Sequence, residues 1–356
     1  MKGNLKTIDI LRGFAASMVF FYHYGLTRTI NKIIHSNIPD IIEIIGSTYA
    51  VPLFFLISGF CIHLSQLKLN EKTKTDKLDL ANYFNRRFWR IYPCYLIILL
   101  MACSFHSISG EKVDVLDFIF HVFILQGLTV KYFNSINLVL WTITTEILFY
   151  CLYPIWYSIR NKIGIHWALV ISLLVSIFSW TVVGLEFNCE LKPVRLFILN
   201  SWVGWCFGAW LCEEVVLNKK RLDKNIYWWV AGGILFVLNY LIGSVSRFQF
   251  ATANISIVLW AWVIVPFLRL ETTIDKFKEN GLAYFVIKIL ISIGLSSFSL
   301  YLIHEPLMNF RNAILANINS EKLRLLLGAG WLIFTFIVAW FSYELFEKPF
   351  LKYRKV

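Results

Sequence analysis

Charge is scarce in this chain. Only 16% of its 356 residues are Asp, Glu, Lys or Arg, while 58% are apolar. Soluble globular domains carry roughly a quarter charged and about 45–50% apolar residues, so a soluble enzyme, a disordered chain and a collagen are all excluded. Paired cysteines are missing as well. Cys61, Cys94, Cys103, Cys151, Cys189, Cys206 and Cys212 are scattered with no C-x-x-C, which argues against a disulfide framework or a zinc site and leaves them as small packing residues. The opening MKGNLKTIDILRGFAASMVFFYHYG has an arginine inside its apolar run and no small-x-small cleavage site, so it reads as a retained first span. Internal repeats, low-complexity tracts and the short alternating segments of an outer-membrane barrel are also absent.

What is present is long apolar runs, at residues 8–27, 48–66, 91–108, 138–159, 166–186, 194–216, 226–245, 248–269, 282–306 and 324–346. A membrane helix needs about 20 such residues. The sequence therefore predicts an all-α, polytopic integral membrane bundle of about ten transmembrane helices, one membrane domain over 1–356 with no appended soluble domain. The net charge of +12 does not suit a nucleic-acid partner, because the cations do not form one compact patch. They fall between apolar runs, at Lys68 to Arg90, Arg160 to Lys162, Lys219 to Lys224, Arg269 to Lys278 and Lys348 to Lys355. Cytoplasmic loops carry this bias. All five clusters and both termini are cytoplasmic if residues 115–131 form a re-entrant or interfacial segment on the outer side. The stretch 281–311 exceeds the length of one span, and reads as an interfacial piece followed by a helix.

Ionisable residues inside spans are costly, about 2.5–3.5 kcal/mol each on insertion scales, and need a partner or a wet cavity. Arg12 and His23 share the first run, and Glu146 lies in the fourth. Helical rise puts His23 about 16 Å deeper than Arg12, and places His23 and Glu146 at one depth, about 20 Å from the inner edge. An imidazole and a carboxylate at one depth make either a base with its orienter or a polar contact that glues two helices. Ser58 and Gly59 in VPLFFLISGFCIHL allow close helix approach, and His63 near the cytosolic end reads as a snorkelling or packing residue. In YFNRRFWRIYPCY, Arg87 and Arg90 share a helix face and either grip a phosphate or anchor to lipid headgroups. His304 and Glu305 in FSLYLIHEPL read as polar caps at the outer end of the ninth span.

In order, these strings resemble membrane acyltransferase family 3, the acyl-CoA-dependent O-acyltransferases of bacterial envelopes. The matching residues are Arg12 and His23 (R-x10-H), Phe54, Phe55, Ser58, Gly59 and Phe60 (FFxxSGF), and Arg87 and Arg90 (RxxR). They continue with Trp141, Glu146, Phe149 and Tyr150 (W-x4-E and FY), Tyr301, His304 and Pro306 (YLIHEP), and Glu347 and Pro349 (E-x-P). The resemblance implies transfer of an acyl group, most often acetyl, from cytosolic acyl-CoA to a carbohydrate hydroxyl on or beyond the outer face. O-antigen, capsule and exopolysaccharide are the candidate acceptors. It implies that Arg87 and Arg90 hold the phosphates of coenzyme A, that Arg12 adds positive potential, and that His23 is the general base or carries the acyl group. Glu146 would orient His23, and Ser58, Trp141 or Tyr150 would face the developing oxyanion. Acetyl-CoA is then a donor substrate, no metal is expected, and the location is the bacterial inner membrane.

Ending about ten residues after the last run, the chain is expected to be the stand-alone form of that family. A second reading, a proton-coupled transporter using Arg12, His23 and Glu146, predicts paired Gly/Pro-interrupted spans in the two halves. None is visible in the sequence.

Overall fold

A computed structural model describes residues 5–34, 40–108, 110–186, 198–243, 249–274 and 281–354. Among these residues there is no strand. The protein is an all-α polytopic membrane bundle, and helix overlies each of the ten apolar runs. Helix α1 is Lys6–Tyr24 and α2 Leu26–Ile34. A short turn of helix and a π-helical turn then lead into α3, Ala50–Thr73. Next come α4 Leu80–Ile108, α5 Val115–Val122, α6 Trp141–Ile163, α7 Ile165–Glu186, α8 Trp202–Cys212 and α9 Ile226–Gly243. The last are α10 Gln249–Leu259, α11 Ala261–Arg269, α12 Gly281–Leu295, α13 Ser297–Ala316 and α14 Glu321–Ser342. Residues 194–197, 244–245 and 248 at the edges of three runs, Cys189, and the basic Lys276, Lys278 and Lys355 lie outside the described residues.

Among the described residues, five helical stretches are long and apolar enough to cross a bilayer: Ile41–Thr73, Leu80–Ile108, Ile165–Val182, Ala251–Arg269 and Glu321–Tyr353. The pair α12 and α13, bent by 71°, makes a sixth. Helices α1 and α6 are less apolar because Asp9, Arg12 and His23 interrupt one, and Thr142, Thr144, Thr145 and Glu146 the other. These two helices carry Arg12, His23 and Glu146.

The bundle has two distinct ends. At one, the basic loops converge: Arg269 pairs with Asp223, Asn161 Nδ2 donates to the Asp76 carbonyl (3.2 Å), and the Trp89 ring packs on Tyr353 (4.9 Å). There the Glu271 carboxylate accepts from the Lys6 and Thr7 amides (2.9 Å each) and from Thr7 Oγ1 (2.7 Å). This satisfies amides that the first turn of a helix leaves unpaired and sets a negative charge at its positive end. At the other end, α1 stops at Gly25, whose φ of 67° is left-handed and suits only glycine without strain. Segment 115–131 belongs to this end. It forms the eight-residue α5 and a 3₁₀ turn, Gln126–Leu128, and eight residues rise only about 12 Å, far short of a hydrocarbon core. Tyr95 on α4 holds it by donating to the His121 carbonyl (2.7 Å).

Small residues set the central packing. Helices α3 and α8 make the most extensive helix contact, with Gly59 against the backbone of Trp205 and Gly208 against that of Leu56, so closely that a Cβ on either glycine would overlap the other helix. Without a hydrophobic drive between helices in lipid, such close van der Waals approach holds them together. Cys94, Cys206 and Cys212 are buried, and the described cysteines are all unbridged.

Candidate active site

Side chains from α1, α3, α4, α6 and α13 line a cavity that enters from the basic end. Its outer part is walled by Arg12, Lys68, Arg86, Arg87 and Arg90, with Asp9 and Glu347 as the acidic members. Five cations against two carboxylates leave a surplus suited to a polyanion. A narrower inner chamber follows, lined by Ser58, Thr142, Glu146, Tyr150 and Tyr301 among phenylalanines, including Phe54 and Phe298. Arg12 and Arg90 line both parts, so they form the neck between them. The inner part encloses about 740 Å³ and the outer part about 1340 Å³ of empty space, open solvent at the mouth included.

Arg87 is held by a built seat. It is only 5% exposed, its guanidinium lies 3.6 Å from the centre of the Tyr83 ring, and Nη1 donates to the Tyr83 carbonyl (2.8 Å). Tyr83 is fixed in turn, its hydroxyl donating to the Tyr150 carbonyl (3.0 Å) and its ring stacked 5.4 Å from Tyr153. Tyr153 donates to His63 Nδ1 (2.9 Å), His63 Nε2 donates to Glu213 (2.7 Å), and Arg160 Nε donates to the same Glu213 oxygen (2.6 Å). His63 is therefore a fully buried member of a polar network, which rules out the snorkelling alternative and keeps the packing one. Its partner Glu213 arrives on the turn that continues α8, so its position could not be read from α3 alone. Arg90 lines both parts of the cavity and Arg12 pairs with Asp9 at 3.5 Å.

The expected contact between His23 and Glu146 is not formed. Glu146 Oε1 accepts from Ser58 Oγ (3.2 Å) and from the Tyr150 hydroxyl, and it faces the chamber that His23 does not line. Helical rise gave the expected depth of each residue but not which side of its helix it faces. Of the three oxyanion candidates, Ser58 and Tyr150 line the inner chamber, whereas Trp141 stacks on Phe133 (5.4 Å) and lines neither part.

His23 instead meets His304, Nδ1 to Nε2 at 2.9 Å. His304 is fully buried, with Nδ1 3.1 Å from the Leu300 carbonyl oxygen. A carbonyl can only accept, so His304 Nδ1 carries the proton and its Nε2 is an acceptor. His23 Nδ1 must then donate, which leaves the lone pair on His23 Nε2. His304 does not cap the end of a span, as expected, but sits inside α13, because the bend at Ser296 starts a new helix that runs to Ala316. The edge of Tyr301 meets His304 (ring centres 5.9 Å apart), so Tyr301 and His304 stand between the inner chamber and His23. On its far side His23 opens into a second pocket at the other end of α1, with Tyr22, Tyr24, Gly25, Arg28, Thr29 and Lys32.

Known proteins place this arrangement. A family model described as an acyltransferase domain matches residues 5–344. O-acetyltransferase OatA of Staphylococcus aureus (strain NCTC 8325 / PS 47) is 23% identical over 98% of this chain and 57% of its own length. Acyltransferase MdmB of Streptomyces mycarofaciens is 24% identical over 88% of the chain and 81% of its own, and nodulation protein 10 of Rhizobium leguminosarum bv. viciae 25% over 64% and 65%. The chain thus spans little more than half of the OatA proteins it resembles. No solved structure matches it. With a family match running from the first described residue into the last long helix, and with the six sequence motifs gathered around one cavity and one histidine pair, the chain belongs to acyltransferase family 3.

Proposed function

We propose that the protein is an O-acyltransferase of the bacterial inner membrane that moves an acetyl group from cytosolic acetyl-CoA to a hydroxyl of an extracytoplasmic or lipid-linked carbohydrate. The carrying observation is two-sidedness: an arginine-walled cavity enters from the basic end, and a histidine with an unshared ring nitrogen opens on the other. In this reading the basic end is cytosolic. Arg87 and Arg90 hold the phosphates of coenzyme A as charge-assisted pairs, Arg12 guides the pantetheine arm through the neck, and Ser58 lines its path. Glu146 balances the charge of Arg12 and Arg90 and fixes the hydroxyls of Ser58 and Tyr150.

The acyl end passes Tyr301 to reach His23. As the acceptor oxygen attacks the thioester carbonyl, His23 Nε2 takes the hydroxyl proton. The C–S bond then breaks, the new ester forms, and the coenzyme A thiolate leaves with the proton returned from the imidazolium. His304 acts as a positioning residue, since its acceptor nitrogen fixes the His23 tautomer. The Thr142 proton is taken by the Val139 carbonyl (2.9 Å), so the Tyr301 hydroxyl donates to Thr142 Oγ1 (3.0 Å) and turns from it to meet the developing oxyanion. General base catalysis contributes typically 10² to 10⁴ in rate. Purified protein incubated with labelled acetyl-CoA and bacterial envelope glycan should transfer label, and His23→Ala should lose about that factor; activity equal to the parent would remove His23 from the chemistry.

A further inference from the structure

The pocket on the far side of His23 has a chemical character of its own. Its lining contains two cations, Arg28 and Lys32, three hydroxyls, on Tyr22, Tyr24 and Thr29, and no carboxylate. The break at Gly25 re-aims the chain after His23, and Thr29 Oγ1 donates back to the Gly25 carbonyl (3.0 Å), tying α2 to that turn. Arg28 and Lys32 are four residues apart, so they lie on one face of α2, and both line the same pocket as the imidazole. A third cation stands behind the wall, the Arg311 guanidinium 4.2 Å from the centre of the Tyr24 ring. Tyr24 itself donates to the Gly328 carbonyl (2.5 Å), which locks this wall to α14. The nearest carboxylate to these cations is Glu43, 4.0 Å from Arg28, and Lys32 has no ion-pair partner among the described residues.

We infer that the acceptor is anionic, and that Arg28 and Lys32 form a subsite holding its phosphate or carboxylate while a hydroxyl on the same or the next sugar unit reaches His23. This rests on the reading of His23 as the base. An oxyanion matches the pair because both side chains are donors only, and the guanidinium presents two parallel N–H groups to it. A neutral sugar would leave Lys32 without a counter-ion and Arg28 with only the long contact to Glu43, so the subsite discriminates by charge and fixes which hydroxyl faces the base.

The test uses the full chain in nanodiscs, labelled acetyl-CoA and bacterial envelope glycan, with glucose, glucuronate and glucose 1-phosphate as competitors. Both charged sugars should inhibit transfer and glucose should not; the stronger of the two tells carboxylate from phosphate. The paired substitution Arg28→Gln with Lys32→Gln should raise KM for the glycan about tenfold or more, the loss of one charge-assisted contact, and abolish inhibition by the charged sugars. The KM for acetyl-CoA should stay unchanged, and Arg28→Lys should recover part of the loss. Inhibition by glucose equal to that by its charged counterparts overturns the inference, as does an unchanged glycan KM in the double variant. A defect seen only in discs containing phosphatidylglycerol, and lost in phosphatidylcholine, assigns the two cations to lipid headgroups and also overturns it. Absence of any His23-dependent consumption of acetyl-CoA by the parent would instead overturn the reading of the reaction itself.

Discussion

His304 lies with Nε2 2.9 Å from Nδ1 of His23, and its own Nδ1 is committed to the Leu300 carbonyl. One backbone oxygen on α13 therefore decides which nitrogen of a histidine on α1 is basic. In the familiar triad a carboxylate does this and also stabilises the imidazolium. A neutral imidazole supplies only the orientation, so among the described residues His23 has no fixed negative charge in contact.

The first prediction separates base from orienter. His304→Phe keeps an aromatic volume and removes the acceptor, and should lower kcat by about 10- to 100-fold with acetyl-CoA KM unchanged. His23→Ala should cost about 10²–10⁴. Residues acting as a unit are not additive, so the double variant should be no slower than His23→Ala. Multiplied losses in steady-state kinetics would mean that the two rings act independently.

Glu146 gives a second discriminating experiment. Glu146→Gln keeps an oxygen able to accept from Ser58 and Tyr150 while removing the charge beside Arg12 and Arg90. Calorimetry should register altered acetyl-CoA affinity, with kcat for bound substrate within about threefold of the parent. Were Glu146 the orienter of His23, kcat would fall by orders of magnitude.

The seat of Arg87 can be tested by shape. Tyr83→Phe preserves the ring under the guanidinium, whereas Tyr83→Leu removes it. A desolvated cation–π contact is worth about 0.5–2 kcal/mol, so Leu should weaken acetyl-CoA binding roughly 3- to 30-fold and Phe much less. Equal losses would move the weight from the ring to the hydroxyl bonded to the Tyr150 carbonyl.

Two substitutions probe assembly instead of chemistry. Gly208→Val places a side chain against the Leu56 backbone and should abolish accumulation of folded protein in membranes. Glu213→Ala strands His63 and Arg160, and breaking a buried pair from one side costs about 3–5 kcal/mol. A fall in thermal midpoint of the detergent-solubilised protein should report it, even where acetyl-CoA binding survives.

Much of the architecture was legible because apolar runs, basic loops and glycines each have a single physical cause. The runs became helices, and the basic clusters gathered at one end. The contact at Gly59 followed from its lack of a side chain. What the sequence did not reveal is rotation about helix axes. Depth can be counted at a fixed rise per residue, but the face a side chain presents depends on its neighbours, so Glu146 was given a partner, His23, that it does not meet. His304 was read as a cap for another reason. The bend after Leu295 has no proline at its apex, and without it residue 304 falls at the end of a span, where polar groups are ordinary. The polar network of His63 could not be read because its acid comes from a helix 150 residues away.

The carboxylate that closes the start of α1 has a further consequence for biogenesis. Glu271 is synthesised 265 residues after Lys6, His304 follows His23 by 281, and Gly328 follows Tyr24 by 304. Helix α1 is thus completed by helices that follow it at a distance in the chain. Until residues 271–328 have been inserted, α1 lacks the carboxylate at its amino end, the ring beside His23 and the anchor for Tyr24, so the R-x10-H motif alone does not build this arrangement.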